Sequence, residues 1–471
     1  MTTPNDLSRR RFLQRAAVAT LMATSSGSLL AACASGGDEG TSNDGGAKSA
    51  ENPLGVKADA PLDVVIFKGG YGDDYAKFHE SLYSKKYPNA KVSHKGITDI
   101  TQQLQPRFNA GNPPDVIDNS GAQMLPMSTL ADTGQLADLT ELFDAASADD
   151  PNKKVKDTLA PIAVEAAQYS GKPLVLNYAL TVYGIWYNKK LFDAKGWAPA
   201  KTWTEFLALC DEIKKAGIAP FAHQGKYPYY IQQVIMDLAV KHGGVEVIKA
   251  IDSLEPNAWM HPSMKAAAEA VAEIKAKGYM LQGTEGLDHI QSQTRWNEGK
   301  AAFISCGSWL ENEQKKVAPA DFLTTVAPTP LLDGAKLPFE CTEISAGEGF
   351  IVPEKAKNKA GGLEFLRLML SKEGAGKFTE FTGSPTVVVG AAEGMKLSAG
   401  AASANKLLEA GGANNWSTYY SAWYSPMQPK IETVVAELAA GRINADEFTK
   451  RCQKAADETA KDPKTQKRTR S

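Results

Sequence analysis

Between residues 62 and 118, short runs rich in β-branched residues alternate with stretches of helical spacing. LDVVIF at 62–67 is closed by Gly69-Gly70 and reads as a buried strand. Residues 73–87 carry a helical pattern with Pro88 behind them, 91–93 suit a weak second strand, 101–110 a helix stopped by Gly111, and 115–118 a third strand. Strands separated by helices favour crossover connections, so this rhythm predicts a parallel α/β sheet. The pattern continues with a strand at 181–187 and a Thr202-Trp203-Thr204-Glu205 capping box. The box opens a helix with apolar positions Phe206, Leu209, Cys210 and Ile213, ended by Gly217. Further helices are predicted at 265–277, 363–370 and 431–440, strands at 301–305 and 349–352, and a last helix capped at Asn444. With 471 residues, 43% hydrophobic and 23% charged, the chain is large enough for two or three domains. A net charge of -2 gives no reason to expect nucleic-acid binding.

The first 32 residues read as a signal peptide: Arg9-Arg10-Arg11-Phe12-Leu13 precedes a short apolar run, 16–30, that is too short and too rich in Ser and Thr to span a bilayer. The arginine pair resembles a twin-arginine export signal. Leu30-Ala31-Ala32-Cys33 resembles a lipobox, which makes Cys33 the expected lipidation site and the membrane anchor. Residues 33–60, rich in Gly, Ser and acids, read as a flexible tether, and 461–471 as a disordered basic tail.

Catalytic patterns are lacking. Six histidines are scattered without zinc spacing, and there is no nucleophile elbow, phosphate loop or EF-hand loop. No metal site and no cofactor is expected. Cys306-Gly307-Ser308-Trp309 has the Cys at the end of an apolar strand, where a buried thiol fits better than a nucleophile. Cys306 and Cys341 are candidates for a disulfide, since export leads to an oxidising compartment.

Binding has better support. Trp416, Tyr419, Tyr420, Trp423 and Tyr424 cluster within nine residues, and Tyr227-Pro228-Tyr229-Tyr230 and Tyr71 lie in loop-like contexts. Flat aromatic faces take the C–H face of a pyranose while amides and carboxylates take its hydroxyls. The spacing of 416, 419/420 and 423 equally suits one helix face turned to the core.

The segments NYALTVYGIWYNK (177–189), KTWTEF (201–206), GKAAFISCGSWLENE (299–313), the stretch from Phe350 to Pro385 and GRINADEF (441–448), in this order behind the lipobox, resemble the carbohydrate-binding lipoproteins of ABC importers. That group includes maltodextrin binders, and the chain is most similar to the actinobacterial N-acetylglucosamine and chitobiose binders within it. The resemblance covers about residues 61–460. It implies a two-lobe α/β fold of the periplasmic-binding-protein type, with crossover hinge segments and a central ligand cleft. Lobe one would comprise 61–178 and 327–385, lobe two 179–326 and 386–460.

Carried over by motif, the ligand contacts would be Trp309 as the stacking ring, Asn119 and Ser120 after the third strand, Asn177 and Tyr178 at the first crossover, Tyr227 from lobe two, and Glu348 beside the returning lobe. Tyr71, and Trp416 or Trp423 as a late aromatic wall, complete the set. The expected function is a monomeric, membrane-anchored, extracytoplasmic sugar-binding component of an ABC importer. Its expected ligand is N-acetylglucosamine or chitobiose, its partners are permease subunits, and it does no chemistry. Another mono- or oligosaccharide is the alternative, and a secreted glycoside-active enzyme, which would need two carboxyls at fixed separation, a further one.

Overall fold

The computed structural model describes residues 46–169 and 171–470. The described residues form one compact unit. The signal-like segment, Cys33 and the first part of the tether lie outside the described residues. Strand β1 (Leu62–Phe67) is buried along nearly its whole length. It pairs in parallel with β2 (Val92–Ile97) on one side and with β3 (Val116–Asp118) on the other. The helices Asp74–Lys86 and Ile100–Asn109 make the crossovers between these strands. Two short strands, β4 (Gln168–Tyr169) and β5 (Lys172–Pro173), form a separate ribbon. The long β6 (Leu176–Asn188) follows, then β7 (Ala219–Ala222), β8 (Ala301–Gly307), β9 (Thr324–Ala327) and β10 (Ile344–Ile351). The main sheet runs β2-β1-β3-β10-β6-β8-β7, with β9 also on β6.

The sheet is therefore mixed rather than parallel. β10 runs antiparallel to both β3 and β6, and β6 antiparallel to β8 and β9. These strands enter by long returns between the two halves, which the local strand–helix rhythm does not encode. β6 is the shared element. Its first half, through Val182, pairs with β10, and from Tyr183 it pairs with β8. At about 3.3 Å per residue its 13 residues span roughly 40 Å, enough to serve both halves. Gly184 on this strand is forced by close approach: a Cβ there would lie 2.5 Å from Val326 Cγ2 and 2.8 Å from the Ala327 carbonyl oxygen.

One apolar cluster fills the half built on β1, between that strand and the helices Asp74–Lys86, Lys359–Met369 and Lys372–Thr382. In the other half the helices Tyr229–Gly243, Pro262–Ala276, Gln428–Ala439 and Ala445–Lys461 pack together. The predicted caps are present: Thr202 Oγ1 accepts from Glu205 N while the Glu205 carboxylate accepts from Thr202 N, and the Asn444 side chain accepts from Glu447 N.

Two flexible segments of the sequence reading are corrected. Residues 46–60 are packed against the body: Leu54 and Val56 are buried in the β1 half, and the Asn52 side chain bonds both the N–H and the carbonyl of Val56. The apolar pair in a polar stretch supplies the anchor that composition alone averaged away. The C-terminal residues beyond the last helix are docked too, through Arg468 and Arg470. Cys210, Cys306, Cys341 and Cys452 are all free, buried thiols, so the candidate disulfide is not formed. Among the described residues, no helix is long and apolar enough to cross a membrane.

Candidate functional site

The site forms where β6 exchanges partners. β8 ends at Gly307, and the chain turns through Ser308 and Trp309 into the short helix Leu310–Gln314. The indole of Trp309 folds back over Gly307, where a Cβ would lie 2.1 Å from the ring. Only glycine leaves that room. Trp309 meets Tyr183 edge-on at 5.6 Å and Tyr230 at 6.4 Å. It is half-buried and packs against the apolar clusters of both halves. From the β1 side, the loop 69–71 comes down onto it: a Cβ on Gly70 would sit 3.3 Å from Trp309 Cδ1. The Asn312 side chain donates to the Gly70 carbonyl.

The β1 half also holds a carboxyl pair, within electrostatic reach of Tyr71. Asp118, at the end of β3, is fully buried; it accepts from Tyr75 OH at 2.9 Å and from Ser120 Oγ at 2.5 Å. Ser120 Oγ in turn accepts from Gly349 N at 2.9 Å. Glu348 sits between Gly347 and Gly349 with φ of 52°, and the β10–β6 ladder passes over it. A non-glycine residue held there stores about 1–3 kcal/mol of strain. Its carboxyl is hydrogen-bonded to that of Asp118. Burial, then repulsion by Asp118, pushes Glu348 well above the ordinary carboxylate range, and burial raises Asp118. Two carboxyls this close share a proton. The Tyr71 hydroxyl points toward Thr181, Ser308 and Ser384.

Beyond Trp309, in the β8 half, lies a small polar recess lined by Tyr183, Tyr230, Gln233, Asp237, Thr342 and Glu343. Gln233 Oε1 and Glu343 Oε2 are buried there without a hydrogen-bond partner. Burial, then the negative field of Asp237 and Asp252, pushes Glu343 far up. A third polar group runs from Tyr227, edge-on to His289 at 5.2 Å, through His289 Nε2 to Glu313 Oε1 at 3.3 Å. Glu313 also accepts from Gln293 Nε2 at 2.7 Å. Burial opposes the charge on His289, but Glu313 outweighs it and raises the imidazole. Aromatic rings thus meet a rim of acids, amides and hydroxyls, the chemistry that holds a polyhydroxylated neutral molecule.

Residues 66–376 match the bacterial extracellular solute-binding protein family. The chain belongs to this family. It is 37% identical over 465 residues to the diacetylchitobiose binding protein NgcE of Streptomyces coelicolor, an alignment covering 97% of both chains. It is also 30% identical to a probable sugar-binding periplasmic protein of Rhizobium meliloti, over 49% of this chain and 54% of that one. Among solved structures, the GacH receptor of Streptomyces glaucescens superimposes with a TM-score of 0.68 at 16% identity, covering 86% of this chain and 99% of that one. A chitin oligosaccharide binding protein gives 0.68 at 18%, covering 84% and 98%. These neighbours share the two-lobe periplasmic-binding fold. The protein is an extracytoplasmic solute binder, not an enzyme. Among its described residues no group of three or more His, Cys, Asp or Glu side chains is placed to hold a metal.

In this solute-binding protein Tyr71, Ser120, Trp309 and Glu348 surround the contact between the halves, and Tyr227 joins them through His289 and Glu313. Asn177 is half-buried at the start of β6, opposite Gly349. Four other sequence candidates lie in the interior. Tyr178 is fully buried, its hydroxyl donating to the Met369 carbonyl at 3.0 Å. The Asn119 amide holds the loop after β3, bonding both the carbonyl and the N–H of Leu125. Trp416 is buried, its indole N–H donating to Asp237 Oδ1 at 3.1 Å. Trp423 stacks on Tyr419 at 5.2 Å inside the same core. Both tryptophans are core, as the alternative held, but not as one helix face: Trp416 bridges to Glu343 in extended backbone, and only Trp423 lies in the short helix Tyr420–Trp423. Asp118, Gln233, His289 and Glu343 lie outside the quoted motifs, and Tyr183 and Glu313 lie within them without being singled out, because each reaches the site only through tertiary packing.

Proposed function

We propose that this solute-binding protein captures N-acetylglucosamine or its β-1,4 dimer outside the cytoplasm and delivers it to the permease of an ABC importer. What carries this reading is the similarity to the diacetylchitobiose binding protein NgcE, which runs over 97% of both chains. The geometry supports it: Trp309 and Tyr183 offer apolar faces for pyranose rings, and Glu348, Ser120, Glu313 and Glu343 offer hydrogen-bonding groups for hydroxyls and the N-acetyl amide. In this reading Tyr71, Asn177 and Tyr227 line the same cleft. The β1 half is lobe one and the β8 half lobe two. The partner exchange of β6 supports a first crossover at Val182–Tyr183, somewhat after Tyr178. Ligand binds one lobe and closure adds the other, a population shift limited by the difference in affinity between open and closed forms. Export by the twin-arginine route through Arg9 and Arg10, with lipidation of Cys33, anchors the protein as a monomer at the outer face of the cell membrane.

A thermal-shift and calorimetric screen tests the ligand. N-acetylglucosamine or diacetylchitobiose at 100 times its dissociation constant should add about 2.7 kcal/mol of stability. A shift with maltose or raffinose but none with the N-acetylated sugars would refute the assignment.

A further inference from the structure

The C-terminal segment after the last helix is joined to both halves of the molecule, although nothing in its composition suggested order. Arg468 and Arg470 are about nine-tenths buried. Arg468 Nη1 donates to the Trp423 carbonyl at 3.0 Å, and its backbone N–H donates to Tyr424 OH at 3.0 Å; both partners belong to the β8 half. Its Nη2 reaches Asp132 Oδ1 at 3.3 Å, and its guanidinium lies 5.0 Å from the centre of the Tyr169 ring, both in the β1 half. Arg470 repeats the arrangement. Its Nη1 donates to Asp252 Oδ2 at 2.7 Å, its backbone N–H donates to Ser253 Oγ at 3.0 Å, and it covers the Tyr419 ring at 4.6 Å. On the β1 side its Nε is 3.8 Å from Glu165 Oε1. The halves also touch directly here, Ser128 Oγ donating to Ser425 Oγ at 3.1 Å. Asp252 is itself pinned, accepting from the N–H groups of Tyr419 and Tyr420 at 2.9 and 2.8 Å.

We propose that residues 462–470 are an interlobe latch. Arg468 grips lobe two through the Trp423 carbonyl and the Tyr424 hydroxyl and lobe one through Asp132 and the Tyr169 ring; Arg470 grips lobe two through Asp252 and the Tyr419 ring and lobe one through Glu165, so the segment stabilises the closed arrangement of the binding cleft. The inference rests on the two-lobe closing mechanism proposed above. A guanidinium suits the role, since one planar fork serves two partners and stacks on a ring at once. Hinge opening that draws helix Met127–Asp132 away from helix Tyr420–Trp423 pulls Asp132, Tyr169 and Glu165 from the arginines. Because the apparent dissociation constant is the intrinsic one divided by the fraction in the binding-competent state, the latch sets ligand affinity without touching ligand.

Interlobe distance in the full chain, without and with diacetylchitobiose, tests this. Spin labels at Lys85→Cys in lobe one and Glu212→Cys in lobe two, in a Cys33→Ser background, report it by pulsed electron resonance; the other native thiols are buried. Three forms are compared: wild type, Arg468→Ala with Arg470→Ala, and Asp132→Ala. The last removes a lobe-one partner while leaving the arginines seated on lobe two, so it decides the matter even if the double variant folds poorly. The variants should shift the ligand-free population toward long distances and weaken sugar binding on the order of tenfold, with saturating sugar restoring the short distance. Identical ligand-free distance distributions in folded wild type and both variants would overturn the latch. If diacetylchitobiose binds none of the three, the sugar assignment fails while the ligand-free distances still decide the latch.

Discussion

Replacing Trp309 by alanine separates a binding role from a packing role more sharply than any other change. The indole contacts Tyr183, Tyr230 and the Gly70 loop across the cleft, yet the residue is only half-buried. A fully buried tryptophan truncated to alanine costs about 3–5 kcal/mol. With one face open at the cleft, roughly half of that, about 1.5–2.5 kcal/mol, is expected here, and the protein stays folded. Stacking of one sugar ring is worth about 1–3 kcal/mol by analogy with base–aromatic stacking. At about 1.4 kcal/mol per tenfold, the dissociation constant for diacetylchitobiose should rise roughly 5- to 150-fold. Titration calorimetry on the folded variant, with differential scanning calorimetry for its stability, gives both numbers. Trp309→Phe should recover part of the affinity, because a smaller flat face remains. An affinity unchanged within twofold in a folded Trp309→Ala protein would show that the ring is packing alone.

Trp416→Ala should do the reverse: stability falls by about 3–5 kcal/mol, since the side chain is core and leaves Asp237 short of a donor, while the folded fraction keeps its sugar affinity in calorimetry. Glu348→Gln should flatten the pH dependence of melting. Glu348 and Asp118 hold their proton to higher pH in the folded than in the unfolded chain, so wild type has the associated stability below about pH 4 and loses it as pH rises through the folded values; scanning calorimetry from pH 4 to 8 should show a smaller loss in the variant. Arg470→Ala should cost about 3–5 kcal/mol at pH 7.5, where it strands a buried carboxylate. The cost should shrink toward pH 5, because burial puts Asp252 at about 6 even with Arg470 beside it, so below that value the acid is protonated and the ion pair is absent from wild type as well. Denaturant melts at the two pH values check the difference, and an equal cost at both would refute the assignment of that pair.

What the sequence determined by itself is local. The β-branched run of β1, the capping box at Thr202 and the helix stops all follow from chemistry within a few residues, and the family resemblance, which singled out Trp309, rests on such segments in order. The tertiary structure decided everything that depends on remote partners. The contact of Ser120 with Gly349 joins residues 229 positions apart, and neither the Asp118–Glu348 pair nor the partner exchange of β6 has a periodic signature. Strand direction in the sheet follows from which half the chain returns to, not from the strand's composition. Trp416 and Trp423 have a spacing that serves a core face and a ligand wall equally, and only the position of Asp237 and the packing of Tyr419 choose the core. The tail shows the same limit: a basic, apolar-poor segment reads as unstructured until Asp132, Asp252 and the rings of Tyr169 and Tyr419, contributed by distant parts of the chain, supply the partners that offset the entropy of ordering it.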